Sequence, residues 1–106
     1  MCVNYGGRTE LTDAIKLIAS EVKAKRLNPE SITEKTLEKF MYNAQMRDVD
    51  MFLRTSGEMR TSNFLPWQSV YAEMVFMDVL WPDVDLTTLW DAIAIYNQRE
   101  RRFGKA

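Results

Sequence analysis

Two strand-length runs, Val49 to Leu53 and Met74 to Val79, limit most tightly what this chain can fold into. Each is bounded by polar or turn-forming residues, and helical spacing appears on either side of them: Leu11, Ile15, Ile18 and Val22 upstream, Leu86, Leu89, Trp90, Ile93 and Tyr96 downstream. Strands separated by helices predict parallel pairing, because parallel neighbours need a long crossover rather than a tight turn. The expected class is α/β: a three-layer, mostly parallel sheet flanked by helices.

The remaining elements follow from caps and breakers. Residues 1 to 5 read as the tail of a strand, and Asn4 to Arg8 (NYGGR) as a glycine turn leading into the first helix. That helix carries Asp13 near its start and Lys23, Lys25 and Arg26 at its end, as its macrodipole favours, and Asn28 with Pro29 stops it. Ser31 and Glu34 stand at capping-box spacing before a short helix bearing Leu37, Phe40 and Met41 and ending near Asn43. Phe64, Trp67, Gln68 and Tyr71 suit a helix ahead of the second strand, which Trp81 and Pro82 close. Asp85 caps the last helix, its apolar residues facing inward, and Trp67, Trp81 and Trp90 are assigned to the core.

With 106 residues the chain is one domain at most. Apolar residues at 46% and charged ones at 27% exclude a disordered chain. A formal charge of −1 gives no pull toward nucleic acid, so any anion site is local. Cys2 is the only cysteine, which excludes an internal disulfide and a thiolate metal site and points to a reducing, cytoplasmic setting. No histidine is present, so chemistry falls to carboxylates, arginines and bound metal. The start lacks the pattern of a signal peptide, and no apolar run approaches the ~18 residues of a membrane span. A parallel sheet wants flanked strands, and three strands, the first of them barely begun, make a thin one; the chain reads as part of a domain.

In α/β folds ligands bind outside the carboxyl ends of the strands, where NYGGR and the stretch RTSGEMRTS both fall. Arg54, Arg60, Thr55, Ser56, Thr61 and Ser62 surround Gly57 with donors, a composition suited to phosphate oxygens. The competing reading is a solvated loop in which Ser62 or Asn63 caps a helix and Arg54 pairs with Glu58. Glu73 lies among apolar and aromatic residues, where a carboxylate needs either a metal or a salt bridge to arginine. Asp78, Asp83, Asp85 and Asp91 are too spread for a metal cluster, and Arg99, Arg101, Arg102 and Lys105 suit a helix C-terminus. The glycines of NYGGR are explained by the needs of a turn alone.

The blocks RTSGE, RTSNF, WQSVYAE and DVLWPD, with NYGGR upstream and RERRFG downstream, resemble the C-terminal half of the cis-prenyltransferases, nearest the bacterial undecaprenyl diphosphate synthases. The resemblance implies a magnesium-dependent condensation of isopentenyl diphosphate with an allylic diphosphate such as farnesyl diphosphate, giving a polyprenyl diphosphate for a cell-wall lipid carrier. It implies that residues 1–106 are a single partial domain holding the isopentenyl diphosphate site. By resemblance Arg54, Arg60, Thr61 and Ser62 bind that diphosphate, Glu73 helps hold Mg2+, and Glu58 is an auxiliary acid. Arg102 and Gly104, with Phe103 between them, match an Arg-x-Gly element that reaches across a homodimer interface. Met59 stands where some members carry histidine, and a thioether is a poor ligand for a hard cation. The family's Asp-Gly-Asn-Gly-Arg-Trp block, with its catalytic aspartate, does not occur in these residues. The expectation is therefore an enzyme half inactive alone, acting in the cytoplasm or at the inner face of the plasma membrane, where its lipid product gives peripheral contact. The alternatives are a non-catalytic partner subunit lending its Arg-x-Gly element, and an unrelated phosphate-binding module.

Overall fold

In the computed structural model, which describes residues 1–99, the chain divides into two units: residues 1–47 with 63–66, and residues 48–62 with those from 67 onward. The first unit is helical. Its long helix, α1 (Gly7–Lys23), buries Gly7, Glu10, Ala14 and Ile18, a stripe at spacings of three and four. Ile18 is buried as expected, but Ile15, also expected inside, is 59% exposed, the rest of the stripe being two small residues and one carboxylate. Lys25 ends α1 by turning left-handed, at φ 57, well before Asn28 and Pro29.

A 3-10 turn at Pro29–Ser31 leads to α2 (Glu34–Phe40), which packs against α1. The cap of α2 is Thr33 with Thr36 in a reciprocal capping box, not Ser31 with Glu34; Ser31 is already inside the 3-10 turn. Residues 1–6 are not in a strand. Asn4 sits at φ 53, a left-handed conformation that an extended chain cannot continue through.

The second unit carries a parallel pair, β1 (Met51–Arg54) and β2 (Glu73–Phe76), in the register Met51↔Glu73 through Arg54↔Phe76. Phe52 and Val75 are both buried, and they point to opposite faces because Phe52 pairs with Met74 while Val75 pairs with Leu53. Both faces of the pair are thus covered, as parallel strands require. The α/β class with parallel pairing is as the alternation of elements predicts.

Three expectations fail in this region. Residues 64–71 form successive turns instead of a helix, since Ser62, Asn63 and Leu65 have φ of 48, 65 and 48 and Pro66 lacks the amide a helix needs. The last helix, α3 (Leu86–Asn97), begins at Asp85 as expected, with Thr88 completing the capping box, yet its one buried residue is Ala92. Ala92 lets α3 approach β2 closely, while Leu86, Trp90 and Leu89 on another face are 73%, 66% and 40% exposed. Trp81 is 71% exposed at a 3-10 turn (Trp81–Asp83), so of the three tryptophans only Trp67 is half-buried.

Candidate functional site

β1 delivers Arg54 to the carboxyl end of the parallel pair, and the chain then turns back at once. Ser56 and Gly57, at φ 64 and 66, occupy the middle of a turn from Thr55 to Glu58 with both central residues left-handed, the geometry of a type I′ turn. Backbone bonds fasten this turn to the end of β2: Met77 N–H to the Arg54 carbonyl (2.9 Å), Gly57 N–H to that of Met77 (3.1 Å) and Ser56 N–H to that of Val79 (2.8 Å). The turn's own amides therefore face the sheet and do not serve a ligand. Among the described residues, the amides of Met59, Arg60, Thr61 and Ser62 make no hydrogen bond within the protein.

The Arg54 guanidinium closes the loop. Its Nη1 donates to the Arg60 carbonyl and to Ser62 Oγ, the latter at 2.8 Å, leaving Nε and Nη2 with no protein acceptor among the described residues. Arg60 pairs with Glu58, so the expected Arg54–Glu58 pair is not formed, and the Arg60 side chain is 66% exposed. Arg54, Arg60 and Ser62 are thus brought together with Glu58, and Thr61 is exposed between them. An exposed fork beside a second, half-engaged fork is a polar concentration that diphosphate oxygens can replace bond for bond.

Asp78 is a residue that composition passed over. Its Oδ1 lies 3.3 Å from where a side chain at Gly57 would begin, so a carboxylate borders the loop. The available signal was its place just beyond β2, at the same sheet end as Arg54.

Glu73 does not join this group. It pairs with Met51 at the amino-terminal end of the strands, three residues from the level of Arg54, or about 10 Å along the strand. No arginine salt bridge to it forms among the described residues, and none of them makes a group of three acidic, cysteine or histidine side chains able to cage a metal. Mg2+ is commonly held by one or two carboxylates together with phosphate oxygens, and a half-buried carboxylate with no ion pair among the described residues fits that chemistry. Arg102 and Gly104 lie outside the described residues.

NYGGR is built differently from the expectation of a glycine turn. Gly6 is extended at φ −145, and Gly7 is already helical. Glycine is needed at position 7 for closeness: a Cβ there would lie 2.0 Å from Pro66 Cδ and 3.0 Å from the Asn63 carbonyl oxygen. The Gly7 and Arg8 amides, which have no partner inside α1, donate to the Asn63 carbonyl (2.8 Å) and Asn63 Oδ1 (2.9 Å). Asn63 does cap a helix, but one 55 residues back in the chain. Beneath it the Glu10 carboxylate, 2% exposed, accepts from Tyr5 Oη and from the Tyr42 amide (3.0 Å). Burial, and then the bond and charge of Glu10, push the Tyr5 hydroxyl well above the usual tyrosine range. Of the NYGGR amides, those of Gly7 and Arg8 are thus taken up by Asn63.

The loop that gathers Arg54, Arg60 and Ser62 lies at the carboxyl end of the parallel pair, the end of the strands outside which α/β sheets bind their ligands. Residues 1–104 match the family model described as "Putative undecaprenyl diphosphate synthase". The chain is 61% identical over 105 residues to isoprenyl transferase 2 of Streptomyces avermitilis, covering 99% of this chain and 37% of that one. It is 58% identical over 105 residues to decaprenyl diphosphate synthase of Mycobacterium tuberculosis, again covering 99% of this chain and 36% of the relative. Among solved structures, lavandulyl diphosphate synthase of Lavandula x intermedia, in complex with dimethylallyl diphosphate, superposes with a TM-score of 0.93 at 37% identity, over 97% of this chain and 44% of the other. The chain belongs to the undecaprenyl diphosphate synthase family of cis-prenyltransferases. It spans little more than a third of the length of these two curated relatives.

Proposed function

We propose that this chain supplies the isopentenyl diphosphate site of a cis-prenyltransferase that lengthens an allylic diphosphate, such as farnesyl diphosphate, into undecaprenyl or a related polyprenyl diphosphate. The carrying observation is the loop in which Arg54 Nη1 ties the Arg60 carbonyl to Ser62 Oγ while Arg54 Nε and Nη2 have no acceptor among the described residues and the Arg60 side chain, paired with Glu58, is 66% exposed. Arg54 and Arg60 neutralise the diphosphate, and Ser62 with the amides through Thr61 orients it, so the work done here is positioning and charge compensation. Glu58, now paired with Arg60, yields that fork to the incoming anion. Mg2+, when bound, offsets diphosphate charge, and Glu73 is the carboxylate assigned to it. The allylic substrate's site and the catalytic aspartate belong to the part of the relatives that this chain does not match, so the chain alone is inactive. Arg102 and Gly104 complete the site of a second subunit in a homodimer acting at the inner membrane face, where the lipid product is released; no helix among the described residues is long and apolar enough to cross a membrane.

The test is calorimetric titration of isopentenyl diphosphate with Mg2+ against inorganic diphosphate. Arg54→Ala and Arg60→Ala should each weaken isopentenyl diphosphate binding about 10- to 100-fold, the worth of a charge-assisted pair. Glu73→Gln should reduce only the part of the affinity that magnesium adds. Equal binding of both ligands, or indifference to Arg60→Ala, would leave only a generic anion loop. A prenyl-transfer assay with a polypeptide supplying the unmatched half should show activity absent from either piece alone.

A further inference from the structure

We propose that Asp78 makes the loop of Arg54, Arg60 and Ser62 selective for a diphosphate that carries a divalent cation, by repelling the bare anion and attracting the metal complex. The proposal rests on the reading of that loop as the diphosphate site, and it gives a role to a carboxylate other than Glu73.

Asp78 and the loop belong to the same unit, and backbone bonds fasten one to the other. The Met77 amide donates to the Arg54 carbonyl (2.9 Å), the Gly57 amide to the Met77 carbonyl (3.1 Å) and the Ser56 amide to the Val79 carbonyl (2.8 Å), so the backbone at position 78 is held from both sides. Its side chain lies over Gly57, with Oδ1 3.3 Å from where a Cβ would stand. Two carboxylates therefore border Gly57: Glu58 as its chain neighbour and Asp78 across the turn. Glu58 is paired with Arg60, whereas Asp78 is exposed and has neither a hydrogen bond nor an ion pair among the described residues.

An uncompensated carboxylate beside an anion grip acts against the ligand it borders. Arg54 and Arg60 attract a diphosphate with or without metal. Asp78 opposes it, and the opposition is lifted once a cation shared with the phosphate oxygens neutralises the carboxylate. Mg2+ suits that place, since it takes one or two carboxylates with phosphate oxygens and keeps several waters, so a cage of three acids is not required. Repelling the wrong form of a ligand is a general source of specificity, and one fixed charge is enough to supply it. Glu73 is not placed to do so: it pairs with Met51, about 10 Å along the strand from the level of Arg54.

The test is calorimetric titration of isopentenyl diphosphate, with excess Mg2+ and with a chelator, on the unsubstituted chain and on Asp78→Asn, Asp78→Glu and Glu73→Gln. Asp78→Asn should bind the metal-free ligand about three- to tenfold more tightly than the unsubstituted chain, a gain that shrinks as salt is raised because both charges are at the surface. The affinity that Mg2+ adds should fall by at least the same factor. Asp78→Glu, which keeps the charge, should behave as the unsubstituted chain in both conditions, and Glu73→Gln should leave metal-free binding unchanged. Metal-free binding that Asp78→Asn does not tighten, or that Asp78→Glu or Glu73→Gln tightens as much, would overturn the proposal alone. An unsubstituted chain that binds isopentenyl diphosphate with Mg2+ no better than inorganic diphosphate would overturn the substrate reading and the proposal with it.

Discussion

NYGGR and RTSGEMRTS are both short, polar, glycine-bearing stretches beside a regular element, and they use their hydrogen-bonding groups in opposite ways. In the first, the amides at the helix start are consumed by Asn63, the glutamate three residues into α1 is buried under Tyr5 and Tyr42, and glycine is required by the closeness of Pro66. In the second, the amides of Ser56, Gly57 and Glu58 are tied down, while Arg54 Nε and Nη2 and the amides from Met59 to Ser62 have no partner among the described residues. Glycine there serves conformation, at φ 66. The first stretch spends its helix-start amides on the protein, and the second keeps side-chain and backbone donors without a protein partner among the described residues. Composition does not separate the two; the accounting of partners does.

The glycines give the sharpest way to break this contrast. Gly7→Ala must displace a proline ring from a Cβ 2.0 Å away and should cost about 3 kcal/mol in urea unfolding, at the upper end of overpacking effects. Gly57→Ala meets only the flexible Asp78 carboxylate at 3.3 Å and should cost about 1 kcal/mol, mainly for its left-handed φ. Equal costs would mean that closeness is not what position 7 demands.

Next in size is the buried carboxylate. Glu10→Ala strands the Tyr5 hydroxyl and the Tyr42 amide and should destabilise by about 2 to 3 kcal/mol, whereas Glu10→Gln, which retains an acceptor, should cost less. Denaturant midpoints for the two variants decide whether the bonds or the charge matter.

The smallest effects separate the units by pH. Tyr5 is raised, chiefly by burial, and Tyr42 is raised, chiefly by the bond it donates to Asp13. A raised group favours the folded state below its unfolded value, about 10 for tyrosine, and that contribution is lost as pH climbs toward the folded value. Asp85 is held low by the Thr88 amide and hydroxyl, so its contribution is present above the ordinary aspartate value of about 3.9 and is lost as pH falls through the depressed one. Tyr5→Phe should therefore flatten only the alkaline limb of melting temperature against pH, and Asp85→Ala only the acid limb.

Much of the fold was legible because its signals are local. The runs Val49 to Leu53 and Met74 to Val79 read as strands and overlap the observed Met51–Arg54 and Glu73–Phe76, and Asp85 reads as a cap, since cap and pleat are decided within a few residues. On α1, Ile18 is buried as its spacing predicts and Ile15 is not, because the rest of the buried stripe is Gly7, Glu10 and Ala14, placed there by small size or by bonding rather than by large apolar surface. Residues 64–71 have helical spacing and form no helix, since Pro66 lacks a helix amide and the left-handed Asn63 that precedes them is bonded to Gly7 and Arg8, far away in the chain. At the site, the clustering of Arg54, Arg60 and Ser62 was legible. The partnership of Glu58 with Arg60, and the strand register that sets Glu73 at the other end of the pair from Arg54, were not.

By itself the sequence determined the α/β class, the parallel order of its strands, the donor-rich loop at their carboxyl end and the resemblance that names the family. All of these are written in short-range periodicity and contiguous blocks. Only the tertiary structure decided which polar groups are already satisfied. It gave Asn63 a helix to hold across 55 residues, tied Arg54 to Ser62 and paired Arg60 with Glu58, because hydrogen-bond partners are assigned in space and a buried group takes whichever partner the packing brings near.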